Sequence, residues 1–559
     1  MPKIVILTAN KSFTHFYLIR KFRKEFPSVK VIALNHYQGG NFWKKVLGTT
    51  KYYLSLAIKS ILFRYRYASL RNLLPSDKID LAVQDINSPQ VARFLKDYQP
   101  DLICVLGTPK ISDETIGTAS LILNIHGGFL PFYRGVSSLL WASYEGNYPY
   151  FACCVHQLTS QIDSGAVYFV ENAAPHFFET FEAYNIRLTA KAIDRLAEGI
   201  KSGEISKGKG VAQPEIRLSK FYRHKDKPVD FTKAAQEKFF SDEAKQYKSK
   251  YPSTNKIEKM AVNVIFPPGN RKVLSAGWYI VNYHEILKQS LNMGLKVRIP
   301  SIYTTTDNFI HHLEFYSQEF EVIALKKGIA LFEKGEIKDR RCLTITFDDG
   351  LASIKEMIAL MAEAQMMPAV FLNTDPLIRR KPLRNHLVLF LAEYLYSFTK
   401  AEDTQELLRM VRELTPEEFY REVRQNHPGF YERAQSKYLQ VAEVKKLLSD
   451  GKIEVGSHTK SHADLNIEDH KKQEEEILGA HQELARTLGS KIPYFSFPFG
   501  GIEASNFQAE YIALNTAPYY FSCLGGINKN LCPGGILRMG IHNETVPQLR
   551  KLLANQFVR

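Results

Sequence analysis

A chain of 559 residues is too long for a single hydrophobic core, at roughly 100 to 200 residues per domain, so at least two folding units are expected. Its hydrophobic content of 45% and charged content of 23% exclude an intrinsically disordered or fibrous chain. The net charge of +15 is compatible with nucleic acid, an anionic membrane surface or phosphorylated substrates and does not choose among them.

In chain order, the opening MPKIVILTANKSF reaches a short apolar run after one Lys, which predicts a buried strand over residues 3–9 and no signal peptide. A helical pattern over residues 14–26 and a second buried strand over 29–34 complete a β-α-β start. Residues 42–74 carry seven Lys or Arg, one Trp and no acidic residue. That composition suits either a basic helical insertion packed on its domain or an amphipathic helix in peripheral contact with a membrane. Residues 101–107 (DLICVLG) and 121–126 (LILNIH) predict two further buried strands. Residues 201–272 turn Lys-rich and polar, with Pro214, Pro228, Pro252 and the pair Pro267 and Pro268, which places a domain junction there.

Strand patterns resume at 278–283, 342–347, 369–373, 453–456 and 494–497 with helices between, the alternation of a β/α barrel. Residues 380–447 read as a helical insertion that serves either as a lid or as a packed excursion. It contains TPEE, in which Thr415 caps a helix, Pro416 takes the first turn and Glu418 closes the capping box. The apolar run 386–398 is too short to span a membrane and contains Glu393. The six cysteines, Cys104, Cys153, Cys154, Cys342, Cys523 and Cys532, show no CxxC spacing, as expected of a protein in a reducing cytoplasm.

Two constellations carry chemistry. In LNIHGGFLPFYRG (residues 123–135), Asn124 and His126 are two apart at a strand end and point to one face, and Asp163 follows within QIDSGAV (residues 161–167). An Asn amide can donate to a developing oxyanion, a His can take a proton from an attacking amine, and an Asp can orient that His. A bare pair of this kind more often marks satisfied polar residues at a strand end. The wider strings resemble the catalytic domain of the folate-dependent formyltransferases, which include methionyl-tRNA and sugar-nucleotide formyltransferases. The resemblance covers about residues 1–205 and implies a Rossmann-like parallel sheet, Asn124, His126 and Asp163 as the catalytic trio, and 10-formyltetrahydrofolate as formyl donor. It also implies a pterin pocket at Gly107, Thr108, Pro109 and Lys110 with Thr159, Ser160, Gln161 and Ile162. The chain departs from the family in TANKSFTH after the first strand and in GFLP where SLLP is common, neither of which touches the trio.

The second constellation is TITFDDG (residues 344–350) followed by GSHTKSH (residues 456–462). His458 and His462 can present two imidazoles to one ion, Asp349 can supply a third ligand, and Asp348 is then left as a base. With YFSFPFGG (residues 494–501) and the opening VNYHEIL (residues 281–287), these strings resemble the polysaccharide deacetylase superfamily over about residues 275–545. The resemblance implies an irregular β/α barrel, Asp348 as base, Asp349, His458 and His462 as ligands of a divalent metal, usually zinc, and His542 of RMGIHN as general acid. Polymer-active members carry Arg two residues before the Pro of the third motif, where this chain has Ser496.

The expected architecture is therefore α/β: a formyltransferase domain over 1–205, a connecting segment over 206–274, and a deacetylase-like barrel over 275–559. The expected function is bifunctional and cytoplasmic: the barrel removes an acetyl group from an amino sugar, as a sugar nucleotide, and the N-terminal domain formylates the freed amine. Three other readings stand beside it. The barrel could remove formyl, a temporary tag; the chain could formylate initiator tRNA, which is ranked low so that no nucleic-acid partner is expected; or it could be a peripheral membrane scaffold with a decayed site.

Overall fold

The computed structural model describes residues 2–9, 12–34, 79–177, 179–216, 220–249, 273–288, 303–387, 390, 410, 413–466, 469–500, 506–532 and 534–559. The basic stretch 42–74, and with it the expected membrane contact, lies outside the described residues. The chain divides into two compact units, Met1–Pro268 with Cys532–Gly534, and Gly269–Leu531 with Gly535–Arg559. No described helix is long and apolar enough to cross a membrane.

The first unit holds β1 (Ile4–Thr8), β2 (Lys30–Leu34), β3 (Leu81–Val83), β4 (Leu102–Leu106), β5 (Leu121–His126), β6 (Tyr133–Gly135), β7 (Ala152–Gln157), β8 (Val167–Asn172) and β9 (Lys220–Tyr222). Seven of them form one sheet in the order β3-β2-β1-β4-β5-β7-β8. Strands β1 and β4 are buried along their whole length, as their unbroken apolar runs require at the centre of a parallel sheet. The expectation of a parallel sheet holds for β1 to β5. It is corrected at one edge, where β7 pairs antiparallel with both β5 and β8. The reason for the second reversal is length: residues 158–166 are fewer than the dozen or so that a parallel crossover needs.

Residues 220–249, whose composition suggests a mere connection, carry structure of their own. Strand β9 pairs with β6, and helices Phe231–Phe239 and Asp242–Ser249 follow. The Phe231 ring lies 4.3 Å from that of Trp141, so this segment packs on the first unit.

The second unit holds β10 (Gly277–Tyr283), β11 (Glu285–Leu287), β12 (Tyr303–Thr305), β13 (Glu321–Val322), β14 (Arg341–Phe347), β15 (Ala369–Leu372), β16 (Glu454–Ser457), β17 (Tyr494–Ser496), β18 (Tyr519–Ser522), β19 (Ile536–Leu537) and β20 (Met539–Gly540). Its main sheet runs β19-β18-β17-β16-β15-β14-β10-β20, with β13 beside β14, and every pairing in it is parallel. Strands β19 and β20 are consecutive in the chain yet stand at opposite ends of that path, so the sheet curls into a nearly closed barrel. Alternation sorts its side chains. Trp278, Ile280, Cys342, Ala369 and Phe371 gather in one apolar cluster with helix Leu325–Glu333, while Tyr279, Val281, Leu343, Ile345 and Val370 join the larger core with the surrounding helices. Continuing the first series toward the strand ends, the residues become polar: Asn282, Thr346 and Asp348, all buried.

The described part of the insertion has a cluster of its own, in which Leu383, Leu387, Phe419 and Val423 pack with Leu351. Its predicted capping box is present: the Thr415 N–H donates to the Glu418 carboxylate at 2.8 Å and the Glu418 N–H to the Thr415 hydroxyl at 3.3 Å.

Candidate active sites

In the first unit the end of β5 brings Asn124 and His126 to Asp163, which sits in the loop between β7 and β8 with φ +52°. His126 Nε2 lies 2.9 Å from the Tyr133 carbonyl, which can only accept, so that nitrogen carries the hydrogen. His126 Nδ1 then faces Asp163 Oδ2 across 3.6 Å, so a proton arriving there would be met by a carboxylate. The same oxygen accepts the Gly135 N–H at 2.8 Å. Burial by itself would raise the Asp163 carboxyl; the imidazoles of His126 and His156 and the Gly135 N–H outweigh it and hold its pKa well below the usual carboxylate range.

His156 is a partner that sequence reasoning missed. It pairs across the antiparallel β5 and β7 with Asn124, whose amide nitrogen lies 3.1 Å from His156 Nε2, and that nitrogen lies 3.4 Å from Asp163 Oδ1. Its Nδ1–H donates to the Gln157 carbonyl at 2.9 Å. The sequence signal was the apolar run ACCV leading into His156, which also reads as a plain buried strand.

The trio opens on a cavity of about 1130 Å³. Gly107, Thr108, Pro109, Lys110, Thr159 and Ile162 line it as well. Ser160 and Gln161 do not; both are exposed, and Gln161 serves the loop through its carbonyl, which accepts the hydroxyls of Thr159 at 2.9 Å and Ser164 at 3.0 Å. Gly107 is required by two constraints together. Its φ is +70°, and a Cβ there would lie 2.4 Å from the imidazole of His15, another residue of the cavity wall.

In the second unit the ends of parallel strands share one rim, which is how Asp348 and Asp349 after β14 meet His458 after β16. Asp349, His458 and His462 place one ligand atom each within 4.8 Å of one another. Asp349 Oδ1 lies 3.7 Å from His458 Nε2 and 3.6 Å from His462 Nε2, and it is buried with no hydrogen-bond donor. His458 Nδ1–H donates to the Ser496 carbonyl at 2.9 Å, leaving its Nε2 lone pair toward Asp349. Burial, followed by the neighbouring imidazoles, pushes His462 down to about 3 against the pull of Asp349, so it is neutral at ordinary pH. An unpartnered carboxylate oxygen facing two imidazole nitrogens is a donor set suited to a divalent cation.

Asp348 is held quite differently. Arg538 grips it with two parallel bonds, Nη1 to Oδ1 at 2.9 Å and Nη2 to Oδ2 at 2.8 Å, and Asn282 donates to Oδ2 at 2.9 Å. Burial favours the neutral acid, but the Arg538 guanidinium overcomes it and lowers the pKa. Arg538, fully buried between β19 and β20, also donates to Ser496 Oγ and lies over the Phe371 ring at 4.7 Å. The third motif lacks an arginine at position 496, yet a guanidinium reaches the carboxylate from another strand end.

The segment 458–462 is a tight loop fastened from below. Glu476, with no exposed surface and set in a π-helical turn, accepts the Lys460 N–H at 3.0 Å, the Ser461 N–H at 2.8 Å and the Ser461 hydroxyl at 2.6 Å. Asp349, Thr459 and His462 all adopt the left-handed region, with φ of +68°, +68° and +59°. Three such non-glycine residues at one place are costly and mark a site whose surroundings over-determine it. His386, from the insertion, places Nε2 3.0 Å from Asp349 Oδ2 and was not foreseen. His542 stands two residues beyond β20, and its recorded bonds are through its backbone, to Thr304 and Glu544. The structure does not join it to the cluster of Asp348, Asp349, His458 and His462.

Comparison with known proteins divides the chain in the same way. Residues 73–198 match the formyl transferase family and residues 335–513 the polysaccharide deacetylase family. Among curated relatives, a methionyl-tRNA formyltransferase of Xylella fastidiosa is 28% identical over 145 residues, 25% of this chain and 46% of its own. One of Sulfurihydrogenibium is 24% identical over 158 residues, 27% of this chain and 50% of its own. The chain spans about half the length of the curated relatives it matches. Among solved structures, the Streptococcus pyogenes deacetylase PplD is 13% identical, covering 50% of this chain and 99% of its own at a TM-score of 0.34. A sugar N-formyltransferase from Shewanella is 14% identical, covering 43% and 87% at a TM-score of 0.28.

Proposed function

We propose that this chain, which joins a formyl transferase domain to a polysaccharide deacetylase domain, removes the N-acetyl group of an amino sugar in its second unit and formylates the freed amine in its first. The observation that supports this most is the completeness of both polar constellations, each on its own sheet and sharing no residue. The substrate class is an amino sugar carried as a sugar nucleotide, the formyl donor is 10-formyltetrahydrofolate, and the compartment is the cytoplasm.

For hydrolysis, a divalent cation such as zinc held by Asp349, His458 and His462 supplies a Lewis acid when bound. Asp348, kept ionised by Arg538, takes a proton from the attacking water. Asn282 and Arg538 occupy its oxygens and fix its direction. The leaving amine must gain a proton, and the resemblance gives the role of supplying it to His542, two residues beyond β20. Acetate and a free amine result.

For transfer, the neutral amine attacks the formyl carbon, Asn124 donates to the oxyanion that develops, and His126 takes the proton the amine releases. Asp163 stabilises the resulting imidazolium from across Nδ1. The oxyanion then collapses, the bond from the formyl carbon to the folate nitrogen breaks, and that nitrogen receives the proton as tetrahydrofolate leaves. Order follows from chemistry: the nitrogen of an amide has its lone pair delocalised and cannot attack, so hydrolysis precedes formylation.

The test is mass spectrometry of a panel of acetylated and free-amine sugar nucleotides incubated with the protein, with and without 10-formyltetrahydrofolate. An N-formyl product arising from an acetylated sugar by way of the free amine supports the proposal. If every acetylated sugar is left untouched and only N-formyl compounds are cleaved, the barrel is a deformylase and the sequential reading fails.

A further inference from the structure

We propose that the helical insertion is a support of the metal site: His386, held by Tyr438, positions the Asp349 carboxylate so that one oxygen faces inward to the cation. This rests on the reading of Asp349, His458 and His462 as metal ligands and extends it to residues outside the motifs.

The two oxygens of Asp349 have different surroundings. Oδ1 faces His458 and His462, whereas Oδ2 faces His386 Nε2 at 3.0 Å. His386 has no exposed surface, and its Nδ1 lies 2.9 Å from the Tyr438 hydroxyl. That hydroxyl already accepts the Leu383 N–H at 3.0 Å, so its own hydrogen is free to go to His386 Nδ1. With the hydroxyl hydrogen directed at Nδ1, the imidazole hydrogen sits on Nε2, which meets Asp349 Oδ2 as a close polar contact at 3.0 Å and not as an aligned hydrogen bond. The His386 and Tyr438 rings also stack, with centroids 5.9 Å apart and planes 16° from parallel.

The backbone makes the same connection. Leu351 and Tyr438 form an antiparallel bridge, the Ala352 N–H donates to the Lys437 carbonyl at 2.7 Å, and the Leu439 N–H donates to the Gly350 carbonyl at 2.9 Å. Tyr438 is therefore tied both to the chain that directly follows Asp349 and, through His386, to its side chain. A packed excursion would need apolar contacts only. Placing a buried imidazole against a buried carboxylate costs free energy unless the pair has a task or a partner.

The experiment measures zinc affinity of the full-length protein by competition with a chromophoric chelator, for wild type, His386→Ala and Tyr438→Phe, with far-UV circular dichroism as the check on folding. Loss of such an outer partner weakens metal binding by about 10- to 100-fold. His386→Ala should fall in that range, and Tyr438→Phe, which keeps the ring and removes the hydroxyl, should lose a few-fold. Hydrolysis lost by His386→Ala at stoichiometric zinc should return in excess zinc. Wild-type affinity in folded His386→Ala, or in Tyr438→Phe where the alanine variant does not fold, overturns the inference. If wild type itself binds no zinc, cobalt or manganese, it is the metal reading that fails.

Discussion

Arg538 and Asp348 make a buried charge pair in which neither member is dispensable alone: removing the guanidinium leaves a carboxylate without its two best donors. Arg538→Met should reduce hydrolysis at least ~10-fold while leaving formylation intact, and Arg538→Lys should not restore it, because an ammonium cannot make the bidentate grip. Steady-state assays of both half-reactions on the same preparations check this. In the first unit, His126→Ala or Asp163→Ala should lower formylation at least ~100-fold with hydrolysis unchanged, the scale of losing a general base. Loss of both activities in a folded variant would overturn the assignment of two separate sites. Asp163 also carries a pH signature. Its folded pKa is depressed, so its contribution to stability is present above the unfolded value of about 4 and is lost as pH falls toward the folded one. The difference in unfolding midpoint between wild type and Asp163→Asn should therefore be flat from pH 8 to about 5 and shrink below pH 4. The motif residues were legible because their spacing is local. Arg538, His156 and His386 were not, since each reaches its carboxylate from a different element, and such a pairing leaves no local spacing to read.

At the scale of elements, the loop of His458 and His462 depends on Glu476. Its carboxylate accepts three donors, and Glu476→Ala strands two backbone N–H groups and a hydroxyl in a part-buried setting. We expect a cost of about 1–3 kcal/mol, seen as a lower thermal midpoint, together with weaker metal binding. A midpoint and an affinity both equal to wild type would show that the loop holds itself. Apolar runs disclosed the central strands of both sheets to within a residue or two, and the TPEE string disclosed a helix start, because those signals are set by neighbours in sequence. Strand β7 was not read, and neither was its reversed direction, which comes from pairing and connection length rather than composition. The structured segment 220–249 was hidden by its lysines, because its apolar residues are few and widely spaced.

At the scale of the whole molecule, the two sites should respond separately to a reagent aimed at one. A chelator should stop hydrolysis and leave formylation of a supplied free-amine sugar untouched. Asp348→Asn should keep its metal, formylate the free amine and leave the acetylated sugar unchanged, whereas His458→Ala should lose the metal; elemental analysis with product analysis reads both, and reversed occupancies would overturn the roles. Because every pairing of the main C-terminal sheet is parallel, its strand tips form one common border, and a residue's rank along the chain is uncoupled from its place in the chemistry. Arg538 illustrates what that permits. An arginine lodged between β19 and β20 serves the carboxylate at the tip of β14 and touches Ser496 on the way. Column-by-column alignment would score Ser496 as a vanished charge, while a map of charges in space would find the charge still there, delivered from another address.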